Sequence, residues 1–314
     1  MTKKMAFIFP GQGAQYVGMG EDLYQNFPSA RHLYDQAAEI LGQKLIDLSF
    51  KGPREELQVT TNAQPAIMAH SIICLEILKQ EGFTPSLVAG HSLGEYSALV
   101  AAQSIPFEQA LKLVRKRGEF MLEAVPSGLG TMAAILGLNR SVVEEICQEI
   151  SREMVVEPAN FNAPGQIVIS GQKEAVEKAA QRAREEGAKA MILSVSGPFH
   201  CSLMRPAGAK LGDELGKMNF ADLTIPLVNN ADAEILTSGE IVKDSLVRQM
   251  SSPVRWEESM KKMVEAGVEA MVELGPGKVL STLMKRIDKN VQTLQVEDTK
   301  SLNKTLDELK AFAV

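Results

Sequence analysis

Short, wholly apolar runs alternate along this chain with longer stretches whose apolar residues recur every three or four positions. The runs are too short for helices and stop at Gly or Pro, so they predict buried strands. Residues 5–9 (MAFIF) end at PGQG, and residues 85–90 (PSLVAG) end at His91-Ser92. Helical spacing covers 29–41, 63–79, 93–102 and 106–124. Asn62 is placed to cap the second of these helices, and Pro106 falls in the first turn of the last.

The texture changes after the Gly-containing loop 127–130. A strand is expected at 131–137, a helix at 141–151, strands at 155–162 and 166–170, a charged helix at 173–186 and a strand at 190–195. That βαββαβ order matches a ferredoxin-like unit, read as a small domain (128–197) inserted into a larger one (1–127 and 198–314). The larger pattern then resumes. A helix is expected at 203–218, strands at 226–229 and 270–274, and a helix at 256–266, with Gly275-Pro276-Gly277 turning the chain into a helix through 283. Strands alternating with helices predict an α/β fold with a parallel sheet covered on both faces.

Composition narrows the function classes. The chain has 314 residues, 45% hydrophobic and 23% charged, which is ordinary for a globular protein. Its formal net charge of −6 argues against nucleic acid, whose binding rests on neutralising phosphates, and against a basic membrane-binding face. No apolar stretch is long enough to span a bilayer, and the run after Lys3-Lys4 is too short for a signal peptide. Cys74, Cys147 and Cys201 cannot all pair and form no CxxC, so reduced thiols and a cytoplasmic setting are expected.

The sharpest local signal is Gly90-His91-Ser92-Leu93-Gly94, a G-x-S-x-G string between a predicted strand and a predicted helix. In that setting the serine sits on a tight turn with its hydroxyl exposed, and the glycines let strand and helix approach. The Leu93 N–H opens the helix beside it, where it can stabilise an oxyanion. The alternative is a Gly-rich turn with an incidental serine. Of four histidines, His32 and His70 fall within helical patterns, and His91 leaves the strand on the opposite face from Ser92. His200 follows a turn past a strand end, where α/β sheets place their chemistry, and is the expected base. No aspartate lies between Ser92 and His200, so a neutral acceptor is expected to orient the imidazole. No HExxH, metal-ligand cluster or nucleotide-binding loop is present, so neither metal nor cofactor is expected.

Several ordered motifs now resemble one family. They are FPGQGAQ (9–15), GHSLGEYSALVAA (90–102), VRKRGEFM (114–121), NFNAPGQIVISG (160–171), GPFH (197–200), QMSSPVRW (249–256) and ELGPGKVL (273–280). Together they resemble the malonyl-CoA:acyl carrier protein transacylases of type II fatty acid synthesis and the related polyketide acyltransferases. The resemblance implies a hydrolase-like α/β domain with a ferredoxin-like subdomain. It implies ping-pong transfer of malonyl from malonyl-CoA to the phosphopantetheine thiol of holo acyl carrier protein, releasing CoA. It assigns Ser92 as nucleophile, His200 as base, the Gln12 and Leu93 N–H groups as oxyanion hole, and Arg117 as carboxylate clamp. It also implies that the main-chain carbonyl of Gln249 orients His200. Helical periodicity alone leaves Arg115 and Arg117 as alternatives. Phe199, directly before His200, resembles the malonyl-selective pattern, where a serine would accompany methylmalonyl. The rival readings are a serine thioesterase on the same acyl-CoA, a discrete polyketide acyltransferase, and a docking module without catalysis.

Overall fold

A computed structural model describes residues 3–312. The first strand, β1 (Lys4–Phe9), alternates its side chains between two cores. Phe7 and Phe9 pack on one face with the long helix Thr60–Gln80, while Ala6 and Ile8 pack on the other with Trp256 and Met260. The unbroken apolar run Met5–Phe9 is what such double coverage demands. The remaining strands are β2 (Leu87–Gly90), β3 (Gly130–Leu136), β4 (Val156–Ala163), β5 (Gln166–Gln172), β6 (Lys189–Ile192), β7 (Leu227–Val228), β8 (Ile235–Leu236), β9 (Val268–Leu274) and β10 (Gln292–Val296).

The larger sheet runs β10-β9-β1-β2-β7-β8, parallel except for the closing β7–β8 hairpin. Phe9 is in register with Gly90, so the loops leaving β1 and β2 emerge side by side at one sheet end. The smaller sheet is antiparallel, in the order β4-β5-β3-β6, and takes all its strands from residues 130–192. This is the ferredoxin-like arrangement. Its β4 joins the larger unit through hydrogen bonds from Phe161 N to Val254 O and from Val254 N to Ala159 O, 2.9 and 2.8 Å.

Several boundaries differ from expectation. Asn62 is not a cap. The helix starts at Thr60 straight after the short helix Arg54–Gln58, and Asn62 donates its side-chain N–H to Glu56 O instead. Pro106 is the residue just before its helix (Phe107–Ala124) rather than part of the first turn. The strand expected to reach 195 ends at Ile192. The helix expected at 203–218 splits into a 3-10 turn (Ser202–Met204) and a helix (Arg205–Leu215), whose start is set by Pro206. Strands β8 and β10 and the helices Gly239–Ser251 and Thr299–Phe312 had no counterpart in the pattern. The three cysteines are buried free thiols. Among the described residues no helix is long and apolar enough to cross a membrane.

Candidate active site

Ser92 sits on the turn between β2 and the helix Gly94–Ala101, with φ of 52°. That left-handed value is costly for a residue with a side chain and persists only where the surroundings enforce it. Here they do. A Cβ on Gly90 would overlap the backbone of Gly94, and one on Gly94 would overlap Phe9 O. Asn230, just past β7, clamps the turn from the side. Its Oδ1 accepts from Ser92 N at 2.6 Å, and its Nδ2 donates to Gly90 O at 2.7 Å.

His200 also has a left-handed backbone, φ 60°. Its Nε2 lies 2.7 Å from Ser92 Oγ and its Nδ1 lies 2.9 Å from the main-chain oxygen of Gln249. A carbonyl oxygen only accepts, so Nδ1 carries the proton and Nε2 is free to receive that of Ser92. Burial pushes the His200 imidazole down to about 3, and the nearby Arg117 charge pushes the same way. His91 takes no part in this pair. Its Nε2 is 2.8 Å from Asn162 Oδ1, and its ring packs on Trp256. His70 is buried against Glu297 O and Tyr34, and His32 is exposed.

The two arginines lie in different places. Arg115 is half-buried and donates to Asn62 Oδ1, away from Ser92. Arg117 is 1% exposed. Its Nη2 donates to Ser92 Oγ at 3.1 Å and to Gln249 Oε1 at 2.9 Å, and its Nη1 donates to Gln64 Oε1 at 2.8 Å. Its guanidinium also lies over the Tyr96 ring, 5.4 Å from the centroid. Burial lowers its pKa from the ordinary guanidinium value.

These groups open onto a cavity of about 350 Å³ between the two sheets. Gln12, Ser92, Arg117, Phe199 and His200 all line it, with Met132 and Val168 from the smaller sheet on the far wall. Gln12 belongs to the loop after β1, which packs so closely on the Ser92 turn that a Cβ on Gly11 would press on His91 O. The Gln12 side chain is tied down by a 3.1 Å bond to Thr60 Oγ1. Leu93 is buried and already helical in its backbone angles where the helix begins.

The sequence assigns no role to three polar residues. Gln64 lies in a segment read only as a buried helix, and Asn230 lies just past the strand read at 226–229. Glu95 reads there as a carboxylate one turn into the helix after Ser92, not as the partner of His200. It is 1% exposed, and its Oε2 accepts from Asn230 N and from Gln249 Nε2, both at 2.9 Å.

Known proteins resemble this chain over nearly its whole length. The acyl transferase domain family matches residues 6–312. The chain is 48% identical over 309 residues to the malonyl CoA-acyl carrier protein transacylase of Bacillus subtilis, covering 98% of each chain. It is 48% identical to the Escherichia coli K12 protein of the same name, covering 90% of this chain and 93% of that one. An acyl carrier protein S-malonyltransferase structure from Vibrio cholerae superposes with a TM-score of 0.94 at 45% identity, covering 96% of this chain and 100% of that one. A malonyl-transacylase solved in complex with its type II PKS acyl-carrier protein gives 0.95 at 45% identity, covering 98% and 100%. This chain therefore belongs to the acyl transferase domain family and, within it, to the malonyl CoA-acyl carrier protein transacylases.

Proposed function

We propose that the chain transfers malonyl from malonyl-CoA to the phosphopantetheine thiol of holo acyl carrier protein through a malonyl ester of Ser92. The observation that carries this reading is the placement of one buried guanidinium, Arg117, 3.1 Å from the same serine oxygen that His200 approaches to 2.7 Å. A planar guanidinium pairs with a carboxylate through two parallel hydrogen bonds. Arg117 would thus hold the free end of malonyl while Ser92 meets its thioester end.

In the first half-reaction Ser92 Oγ gives its proton to His200 Nε2 and attacks the thioester carbonyl. The N–H groups of Gln12 and Leu93 receive the oxyanion. The carbon–sulfur bond breaks, and the CoA sulfur takes the proton from His200. In the second half-reaction the carrier thiol gives its proton to His200 and attacks the ester. The bond to Ser92 Oγ breaks, and that oxygen recovers the proton. Every group needed comes from the chain and its two substrates, so the reading includes no cofactor and no metal. When the malonyl carboxylate meets Arg117 it offsets the charge that depresses His200, so substrate recognition also strengthens the base.

A thioesterase would use the same acyl-serine with water as acceptor. Against it stands the enclosed Arg117 and a base oriented by a carbonyl rather than a carboxylate. Incubation with malonyl-CoA and holo acyl carrier protein separates the two. Malonyl-carrier protein as the main product supports the transferase, and free malonate formed at the same rate with or without carrier overturns it. The same chemistry serves a carrier of fatty acid or polyketide assembly.

A further inference from the structure

Behind the reacting atoms lies a polar relay that none of the assigned roles accounts for. Glu95 Oε2 accepts from Gln249 Nε2, and Gln249 Oε1 accepts from Arg117 Nη2. A carboxylate only accepts and a guanidinium only donates. The Gln249 amide between them can therefore face one way only, with its nitrogen toward Glu95 and its oxygen toward Arg117. That nitrogen also donates to Ser92 O at 3.0 Å, and the main chain of the same residue holds His200. The second partner of Glu95 Oε2, the N–H of Asn230, fixes the residue that clamps both sides of the Ser92 turn. One buried oxygen thus sits behind the nucleophile, the base and the arginine together.

We propose that Glu95 is a positioning residue for acyl transfer: its carboxylate sets the Gln249 amide and the Asn230 backbone, and it is the buried counter-charge that Arg117 has before substrate arrives. It touches neither substrate nor reacting atom. This rests on the acyl-serine reading above.

The charge carries a consequence for pH. Burial raises the Glu95 carboxyl to about 7, against the pull of its bonds to Gln249 and Asn230. The charged and titratable groups around it are Arg117, which favours ionisation, and Asp232, which opposes it and is itself paired with Arg248. Tyr96 lies on its own helix, and His200 stands beyond Gln249. Protonation removes the charge, which weakens Oε2 as acceptor for both donors and leaves Arg117 without its counter-charge, so the relay is at full strength only above that value. His200 is already neutral throughout this range.

The test is quenched-flow mass spectrometry of Ser92 acylation from malonyl-CoA and from acetyl-CoA. Wild type, Glu95→Gln and Glu95→Asp are followed across the neutral range, with thermal unfolding of each. Glu95→Gln keeps the shape and an acceptor oxygen but loses the charge. Its maximal loading rate falls about 10- to 100-fold for both acyl groups, as loss of an outer-shell partner does elsewhere. Its half-saturation for malonyl-CoA does not rise, since Arg117 remains. The acid limb near the Glu95 value, present in wild type, disappears. Its Tm above neutrality equals or exceeds that of wild type, because the burial cost that raises the Glu95 carboxyl outweighs its attraction to Arg117. Glu95→Asp keeps the charge but cannot reach both donors, so it is slow and retains the limb. The proposal is overturned if Glu95→Gln loads at the wild-type rate with the limb intact, or if its rate falls only as its folded fraction falls. A wild type that takes up no malonyl on Ser92 overturns the acyl-serine reading and this one with it.

Discussion

Replacing Arg117 by alanine separates recognition of the acyl group from its transfer. In the free protein Arg117 Nη2 already bonds Ser92 Oγ and Gln249 Oε1. Malonyl must replace those contacts with two charge-assisted bonds. Two ion-paired bonds at the upper end of the range for charged groups contribute about 6 kcal/mol, and the two given up, which share the charged donor but have neutral acceptors and sit at the lower end, offset about 3 kcal/mol. The net is about 3 kcal/mol, or roughly 100-fold in malonyl loading at about 1.4 kcal/mol per factor of ten. Acetyl has no carboxylate and forgoes that gain. Removing Arg117 also lifts a charge that depresses His200, so acetyl loading holds or rises. The assay is the rate of CoA release in a single turnover with each acyl-CoA, and the measured quantity is the malonyl-to-acetyl ratio. Arg117→Lys keeps the charge without the fork and should fall between. Equal losses for malonyl and acetyl would refute the clamp and leave Arg117 as a support for Ser92 alone.

Other expectations follow from the same geometry. Phe199 lines the cavity directly before His200, so Phe199→Ser should raise methylmalonyl loading relative to malonyl. A methyl is worth about 1–3 kcal/mol in such a pocket, and competition between the two acyl-CoA esters reads the shift. Gly90→Ala places a Cβ on the Gly94 backbone, so denaturant unfolding should show a loss above about 2 kcal/mol together with lost loading. His70 at about 4 and His200 at about 3 stay neutral in the fold, so their contribution to stability is complete above 6.5 and is lost as pH falls through those values. Glu95 and Glu273, both raised to about 7, act with the opposite sign between 7 and 4.5. Unfolding free energy should change little over that span and drop below 4.5, and a rise toward acid there would contradict the burial of the two histidines.

The sequence made the chemistry at element ends easier to read than the scaffold behind it. Ser92 is legible because a tight strand-to-helix turn forces glycines at 90 and 94, and that steric need leaves a mark in the chain. His200 is legible by its place after a strand. Arg117 and Arg115 are not separable by periodicity, because both flank the same apolar stripe. Only the packing of helix Phe107–Ala124 on Thr60–Gln80 buries one beside Gln64 and leaves the other at the edge. Glu95 shows in the sequence as a carboxylate one turn into the helix, but its role does not, because its partners lie 135 and 154 residues away and an acidic residue in a first turn is commonplace. Strand β10 (QTLQV) is an edge strand with half-exposed polar positions, so no apolar run announces it. Helix Gly239–Ser251 carries Gln249 into the site on mixed polar and apolar residues too sparse to signal a helix.

The most direct test of the central claim is the intact mass of the protein after brief exposure to malonyl-CoA with no acceptor present. Wild type should gain one malonyl group, Ser92→Ala none, and holo acyl carrier protein should discharge the adduct. An adduct that survives in Ser92→Ala, or free malonate accumulating with no adduct on wild type, would contradict the account.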